Sequence, residues 1–169
     1  IIQSEGLEKA YRWTSFIFSG YSPSELRSAA RTVWENDKNI SPYEEMRDVI
    51  RFFKKLNREI FIVTASPTCV IQEVANEFSV DEKKVIGMNA RLKDGIFTSE
   101  IVEPYTYGEG KVKALGEIVK NIPSIAFGDS ENDFYLLKNS ETGIFIDRGN
   151  EKIKSKFQNI GSLIQPVFR

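Results

Sequence analysis

The sequence predicts a doubly wound α/β fold: a parallel sheet, a small helical cap and one β-hairpin. Two observations carry this. From residue 60 onward, short apolar runs alternate with helix-like segments, the rhythm of βαβ units and a parallel sheet. Ahead of them, the first forty residues read as helix alone. In sheets of this kind the functional site is expected at the strands' carboxyl ends.

The elements follow in order. Leu7, Ala10, Tyr11, Trp13, Phe16 and Ile17 keep helical spacing and predict a helix over 4–18. After Gly20, Ser22-Pro23-Ser24-Glu25 is a capping box with proline at the first helical position. It predicts a helix to about Asp37. Ser41-Pro42-Tyr43-Glu44 repeats the signal for a helix to about Leu56.

Ile60-Phe61-Ile62-Val63 is continuously apolar, as in a strand buried on both faces. Pro67 to Phe78 reads as the next helix, and Val85-Ile86 starts another strand. Asp94-Gly95 is a two-residue hairpin signal. A helix is expected over 109–120, with Val112, Leu115, Ile118 and Val119 apolar. Ile125-Ala126-Phe127 reads as strand, 131–138 as helix, Gly143 to Ile146 as strand and 151–158 as a lysine-rich helix. The tail GSLIQPVFR is given no role. The expected division is a cap segment over 1–40 and an α/β core over 41–169.

Composition narrows the chemistry. The 169 residues are 41% hydrophobic and 28% charged, with a net charge of −1. A nucleic-acid partner calls for a basic surplus, so none is expected. No apolar run reaches the ~20 residues that span a bilayer, so no membrane partner is expected either. The single cysteine, Cys69, excludes an internal disulfide and a multi-cysteine metal site. The absence of histidine removes Ser-His and Cys-His pairs and His-ligated zinc. Catalysis would run on carboxylates, lysines, hydroxyls and metal. The expected location is the cytoplasm. The chain starts at Ile1, so a signal peptide ahead of it stays open.

Three signals fall at expected strand ends or helix starts. In Ile62-Val63-Thr64-Ala65-Ser66-Pro67, a hydroxyl can meet a phosphate oxygen together with free backbone N–H groups, or simply cap the helix. In Gly108-Glu109-Gly110-Lys111, a lysine near a helix start opposes the helix dipole. A phosphate or a carboxylate nearby would account for it, and a solvated surface lysine is the plainer account. In IPSIAFGDSENDFYLL, Asp129 closes a strand and Asp133 follows four residues on. Capping explains Ser130 and Asp133. It does not explain an acid at the end of a buried strand. Two hard oxygen anions there suit Mg²⁺ beside a phosphate.

Together the three signals resemble motifs two, three and four of the haloacid dehalogenase superfamily, in its phosphoserine-phosphatase-like branch. Residues 58–67, 85–115 and 123–137 carry the likeness, with the hairpin KVIGMNARLKDGIFTSEIVEP ahead of the lysine. The resemblance implies a Rossmann-like core and a Mg²⁺-dependent phosphatase acting on a small phosphorylated metabolite. Thr64 would bind the transferring phosphoryl group, and Lys111 would neutralise nucleophile and phosphate. Asp129 would ligate Mg²⁺, while Asp133 would act directly or through water and orient the lysine. Ala65, Ser66 and Asn132 would line the substrate side. Phosphoryl transfer rewards such placement and charge neutralisation.

The family's nucleophile lies in an Asp-x-Asp motif ending its first strand. Aspartates occur here at 37, 48, 81, 94, 129, 133 and 147, none two apart. The attacking carboxylate, which forms an aspartyl-phosphate, is therefore expected on about 10–40 residues ahead of Ile1. That strand, from the same gene product, would sit between those ending at Thr64 and Asp129. Two other readings compete: a metal-free dehalogenase, disfavoured by the acid pair, and an inactive module that binds a phosphorylated ligand or a partner. The aromatics at 11–21 could face a substrate, a homodimer partner or the domain below. Tyr11, Arg12, Trp13, Arg27 and Arg31 are candidates for substrate selection by the cap.

Overall fold

The computed structural model describes residues 2–38, 40 and 42–167. It forms two compact units, Ile1–Tyr105 and Thr106–Arg169. The first unit holds the whole of 1–40 together with the first half of the expected core.

In the first unit, α1 (Ile2–Phe18) is interrupted at Gly6, whose φ of 83° no helix accommodates. The second helix, α2 (Pro23–Asn36), has the expected capping box. Ser22 N–H donates to Glu25 at 2.7 Å, and Glu25 N–H donates back to Ser22 Oγ at 3.3 Å. The third, α3 (Glu44–Lys55), starts later than expected. Tyr43 stands at its N-cap without a side-chain hydrogen bond, and Ser41 lies outside the described residues.

The first strand also differs from expectation. It is β1 (Ile62–Pro67), displaced two residues toward the hydroxyl-rich segment. It pairs in parallel with β2 (Val85–Lys93), and its register shifts between Val63 and Pro67. The expected run is half-buried rather than buried on both faces, and β1 is an outer strand among the described strands of its sheet. The crossover is α4 (Thr68–Ala75), followed by a 3-10 turn at Asn76–Phe78. The third strand, β3 (Ile96–Val102), returns antiparallel to β2 through Asp94-Gly95. Both turn residues have positive φ, 51° and 79°, the geometry that lets a two-residue turn follow strand twist. At the outer edge of β3, Phe97 exchanges two backbone hydrogen bonds with the Gly20-Tyr21 loop, each 2.9 Å. The core of this unit gathers Ala75, Val80 and Val85 with Ile50, Ile60, Ile62, Ile71 and Phe78.

The cap arginines are engaged. Glu73 of α4 accepts from Arg27 Nε at 2.8 Å and from Arg31 Nε at 2.6 Å. Arg27 also reaches Glu82 at 2.8 Å. These pairs hold the Glu73 carboxyl below its ordinary range, through the Arg27 and then the Arg31 hydrogen bond. Arg12 pairs with Glu103 at 3.3 Å and lies over the Tyr105 ring.

In the second unit, α5 (Glu109–Gly116) precedes β4 (Ile125–Gly128). A 3-10 turn at Glu131–Asp133 then leads into α6 (Phe134–Lys138). Next come β5 (Thr142–Asp147), α7 (Glu151–Gln158) and β6 (Leu163–Pro166). All three strands are parallel, in the order β4-β5-β6. The helix α5 stops at glycine, four residues short of expectation, and leaves Ile118 exposed. The tail, given no role by the sequence, forms β6. The core centres on Phe157, whose ring stacks on Phe145 at 4.2 Å and meets Phe134 edge-on. Phe145 and Phe157 are almost wholly buried, and truncating such an aromatic costs about 3–5 kcal/mol.

The three parallel ladders and their helices establish the expected α/β class with one hairpin. The described strands form two three-stranded sheets, one in each unit. No helix among the described residues is long and apolar enough to cross a membrane.

Candidate functional site

The acid loop begins where β4 ends. Gly128 is the last residue of the strand, and the chain turns so tightly there that Asp133 lies over it. A Cβ on Gly128 would fall 2.4 Å from the Cβ of Asp133 and 2.9 Å from Leu137 Cδ1. Only a residue without a side chain lets Asp133 fold back over the strand end. Its Oδ2 then accepts the backbone N–H of Asp129 at 3.2 Å, that of Ser130 at 3.1 Å and the Ser130 hydroxyl at 2.8 Å.

The other oxygen of Asp133 meets Lys111. Nζ donates to Oδ1 at 2.6 Å, and both residues are buried, at 5% and 7% exposure. The opposed helix dipole at Lys111 is thus answered by a carboxylate. Three donors occupy Oδ2, whereas Oδ1 keeps a lone pair. Asn132 ties the same turn to the start of α5, where its Oδ1 accepts Gly108 N–H at 2.6 Å. Gly108 has φ 53° at this N-cap. Lys113 is exposed and lies 3.8 Å from Glu109.

Asp129 is more open. Its side chain is 40% exposed, and Oδ2 lies 3.1 Å from Arg148 Nη1. Oδ1 takes no hydrogen bond among the described residues. Arg148 follows β5 directly, in a turn braced by Asp147. That carboxylate accepts Gly149 N–H at 2.8 Å and Lys154 Nζ at 3.1 Å. The Gly149 N–H first, then Lys154, hold the Asp147 carboxyl below its usual range.

The structure thus brings together Lys111, Asp129, Asn132 and Asp133, all in the second unit. Thr64, Ala65 and Ser66 belong to the first. Thr64 lies within β1, two residues before Ser66, and its Oγ1 accepts Ser66 N–H at 3.1 Å. The Ala65 side chain is buried, at 5% exposure. Any ligand role there falls to its backbone. Gly87 of β2 admits this segment, since a Cβ there would meet Ser66 O at 2.6 Å.

Two participants escape the sequence reading. Gly128 is visible in the motif, but its steric necessity appears only with Asp133 folded over it. Arg148 had a weak signal, a basic residue directly after an expected strand end.

The sequence profile of the haloacid dehalogenase-like hydrolase family matches residues 4–138. The chain belongs to this family. Its fold is similar to that of a protein of unknown function from Bordetella pertussis Tohama I, with a TM-score of 0.83 and 22% identity. That match covers 98% of this chain and 78% of the other. A functionally unknown protein from Anaerococcus prevotii DSM 20548 gives a TM-score of 0.76 at 22% identity, over 87% of this chain. The hydrolase chain spans about half of that relative, 49%. A phosphoserine phosphohydrolase-like protein from Francisella tularensis subsp. tularensis SCHU S4 gives a TM-score of 0.60 at 15% identity, covering 97% and 83% of the two chains. At these identities the likeness establishes the fold. No curated protein matches the sequence at a significant level.

The donor set suits a hard divalent cation. No group of three or more Asp, Glu, Cys or His converges among the described residues. Mg²⁺ needs no such cage, since it keeps several waters and takes one or two carboxylates beside a substrate phosphate. Asp129, with one open oxygen, fits that demand.

Proposed function

We propose that this chain belongs to a Mg²⁺-dependent phosphatase for small phosphomonoesters. The observation that supports it best is the buried Lys111–Asp133 pair beside the half-open Asp129. An ammonium held in a water-poor setting, with donors to spare, is suited to the charge of a transferring phosphoryl group. Asp129 would hold Mg²⁺ directly. Asp133 would contribute through Oδ1 or a water while fixing the lysine. Bound there, Mg²⁺ would supply charge neutralisation at the phosphate oxygens.

In the first unit, Thr64 Oγ1 keeps the Ser66 N–H, and its hydroxyl hydrogen stays available to an acceptor. The Asn132 amide would contact the ester's remaining part. The attacking carboxylate belongs to sequence outside these residues. It would take phosphorus from the ester oxygen as the ester bond breaks, and the leaving oxygen would take a proton from water to depart as the alcohol. Water then attacks the aspartyl-phosphate, releasing inorganic phosphate and restoring the acid.

Hydrolysis of p-nitrophenyl phosphate by the full gene product, with and without Mg²⁺, tests this reading. Mg²⁺-dependent turnover that Asp129→Asn abolishes is the expected result. Turnover by the present 169 residues alone would overturn the nucleophile assignment. Binding of vanadate or phosphate without turnover in the full product would favour a phospho-ligand-binding module instead.

A further inference from the structure

The salt bridge between Arg148 and Asp129 has no place in the proposed chemistry, yet it occupies the residue assigned to the cation. The contact is specific in construction. Asp147 fixes the turn from both sides, through Gly149 N–H and Lys154. Asn150 then caps α7, its Oδ1 accepting Ile153 N–H at 3.2 Å. Arg148 therefore projects from a braced platform at the end of β5, next to the acid at the end of β4.

We infer that Arg148 is an internal competitor of the divalent cation: its guanidinium neutralises Asp129 and so sets how tightly the site loads. The inference rests on Asp129 being the metal ligand. A cation arriving at Oδ1 meets a carboxylate already compensated on Oδ2, with a second positive charge close by. Like charges at this separation repel, and a carboxylate shared between two cations attracts each less strongly. The guanidinium remains charged at any working pH, so the competition is permanent rather than switched by protons. Arg148 is 62% exposed, leaving it free to swing into solvent once displaced.

The test is direct Mn²⁺ titration of the protein, followed by electron paramagnetic resonance of the free ion, with no substrate present. Arg148→Gln should lower the Mn²⁺ dissociation constant about two- to five-fold, the scale of a partly exposed ion pair. Arg148→Lys keeps a positive charge and should restore a constant near that of the parent protein. An unchanged or higher constant in Arg148→Gln, with Asp129→Asn abolishing binding, would overturn the role of Arg148 and leave the metal site standing. Mn²⁺ binding untouched by Asp129→Asn would instead overturn the assignment of Asp129, and this inference with it. Thermal melting of each variant verifies that the exposed substitutions leave the fold intact.

Discussion

Asp133 occupies the space that a side chain on Gly128 would need: the two β-carbons would be 2.4 Å apart. The acid at the strand end, the lysine pair and the loop hydrogen bonds all depend on that close approach. Gly128→Ala forces Asp133 outward and breaks its contacts with Lys111 and Ser130. The expected cost is about 1–3 kcal/mol, the range for overpacking a closed site. Urea unfolding followed by circular dichroism measures it. A loss below about 0.5 kcal/mol would show that the loop yields without penalty.

Lys111 supports the fold as well as the proposed chemistry. From sequence alone its removal should affect turnover far more than stability. Its burial against Asp133 changes that expectation, because Lys111→Met strands a buried carboxylate. Oδ2 retains three donors, so the loss should sit near the lower end for broken buried pairs, about 3 kcal/mol. The double variant Lys111→Met with Asp133→Leu should lose less than the two single variants summed. Strict additivity in the unfolding free energies would mean that the pair is not coupled.

Glu73 confers a pH dependence on the first unit. Its pKa is lowered in the fold by Arg27 and Arg31. The stabilisation is therefore fully present above the ordinary glutamate pKa and disappears as pH falls through the lowered value. Glu73→Gln should melt below the parent protein at pH 7, by the equivalent of about 1 kcal/mol given the exposure of both arginines. The gap should shrink as acid takes the pH down through the lowered value. A gap that persists into strong acid would assign the effect to packing.

Cys69 should resist modification. It is buried, and burial, its largest influence, pushes the thiol pKa up. A thiolate-dependent reagent such as Ellman's should react slowly at pH 7.5 in the native state and rapidly in urea. Native reactivity equal to that in urea would mean that the α4 start opens freely.

Local rules made much of the fold legible. The Ser22 box, the Asp94-Gly95 turn and the βαβ rhythm each depend on a few neighbouring residues, and each is observed. Positions decided by tertiary context were harder to read. The first strand runs on to Pro67 across a register shift against β2, which a local apolar pattern does not announce. The four-residue β6 is too short and too proline-marked to stand out as a strand. In the site, the residues alone pointed to a negative partner for Lys111, and the family resemblance named Asp133 as the acid that orients it, a contact seen at 2.6 Å. The partner of Arg148 could not be read from its weak signal, because β4 and β5 are apart in sequence and adjacent only in the sheet.

The paired backbone bonds between Phe97 and the Gly20-Tyr21 loop occupy part of the outer ladder of β3. A free β-edge recruits other chains, so this short clasp acts as a guard against self-assembly. Loosening it would leave the molecule folded yet prone to grow fibrils at high concentration.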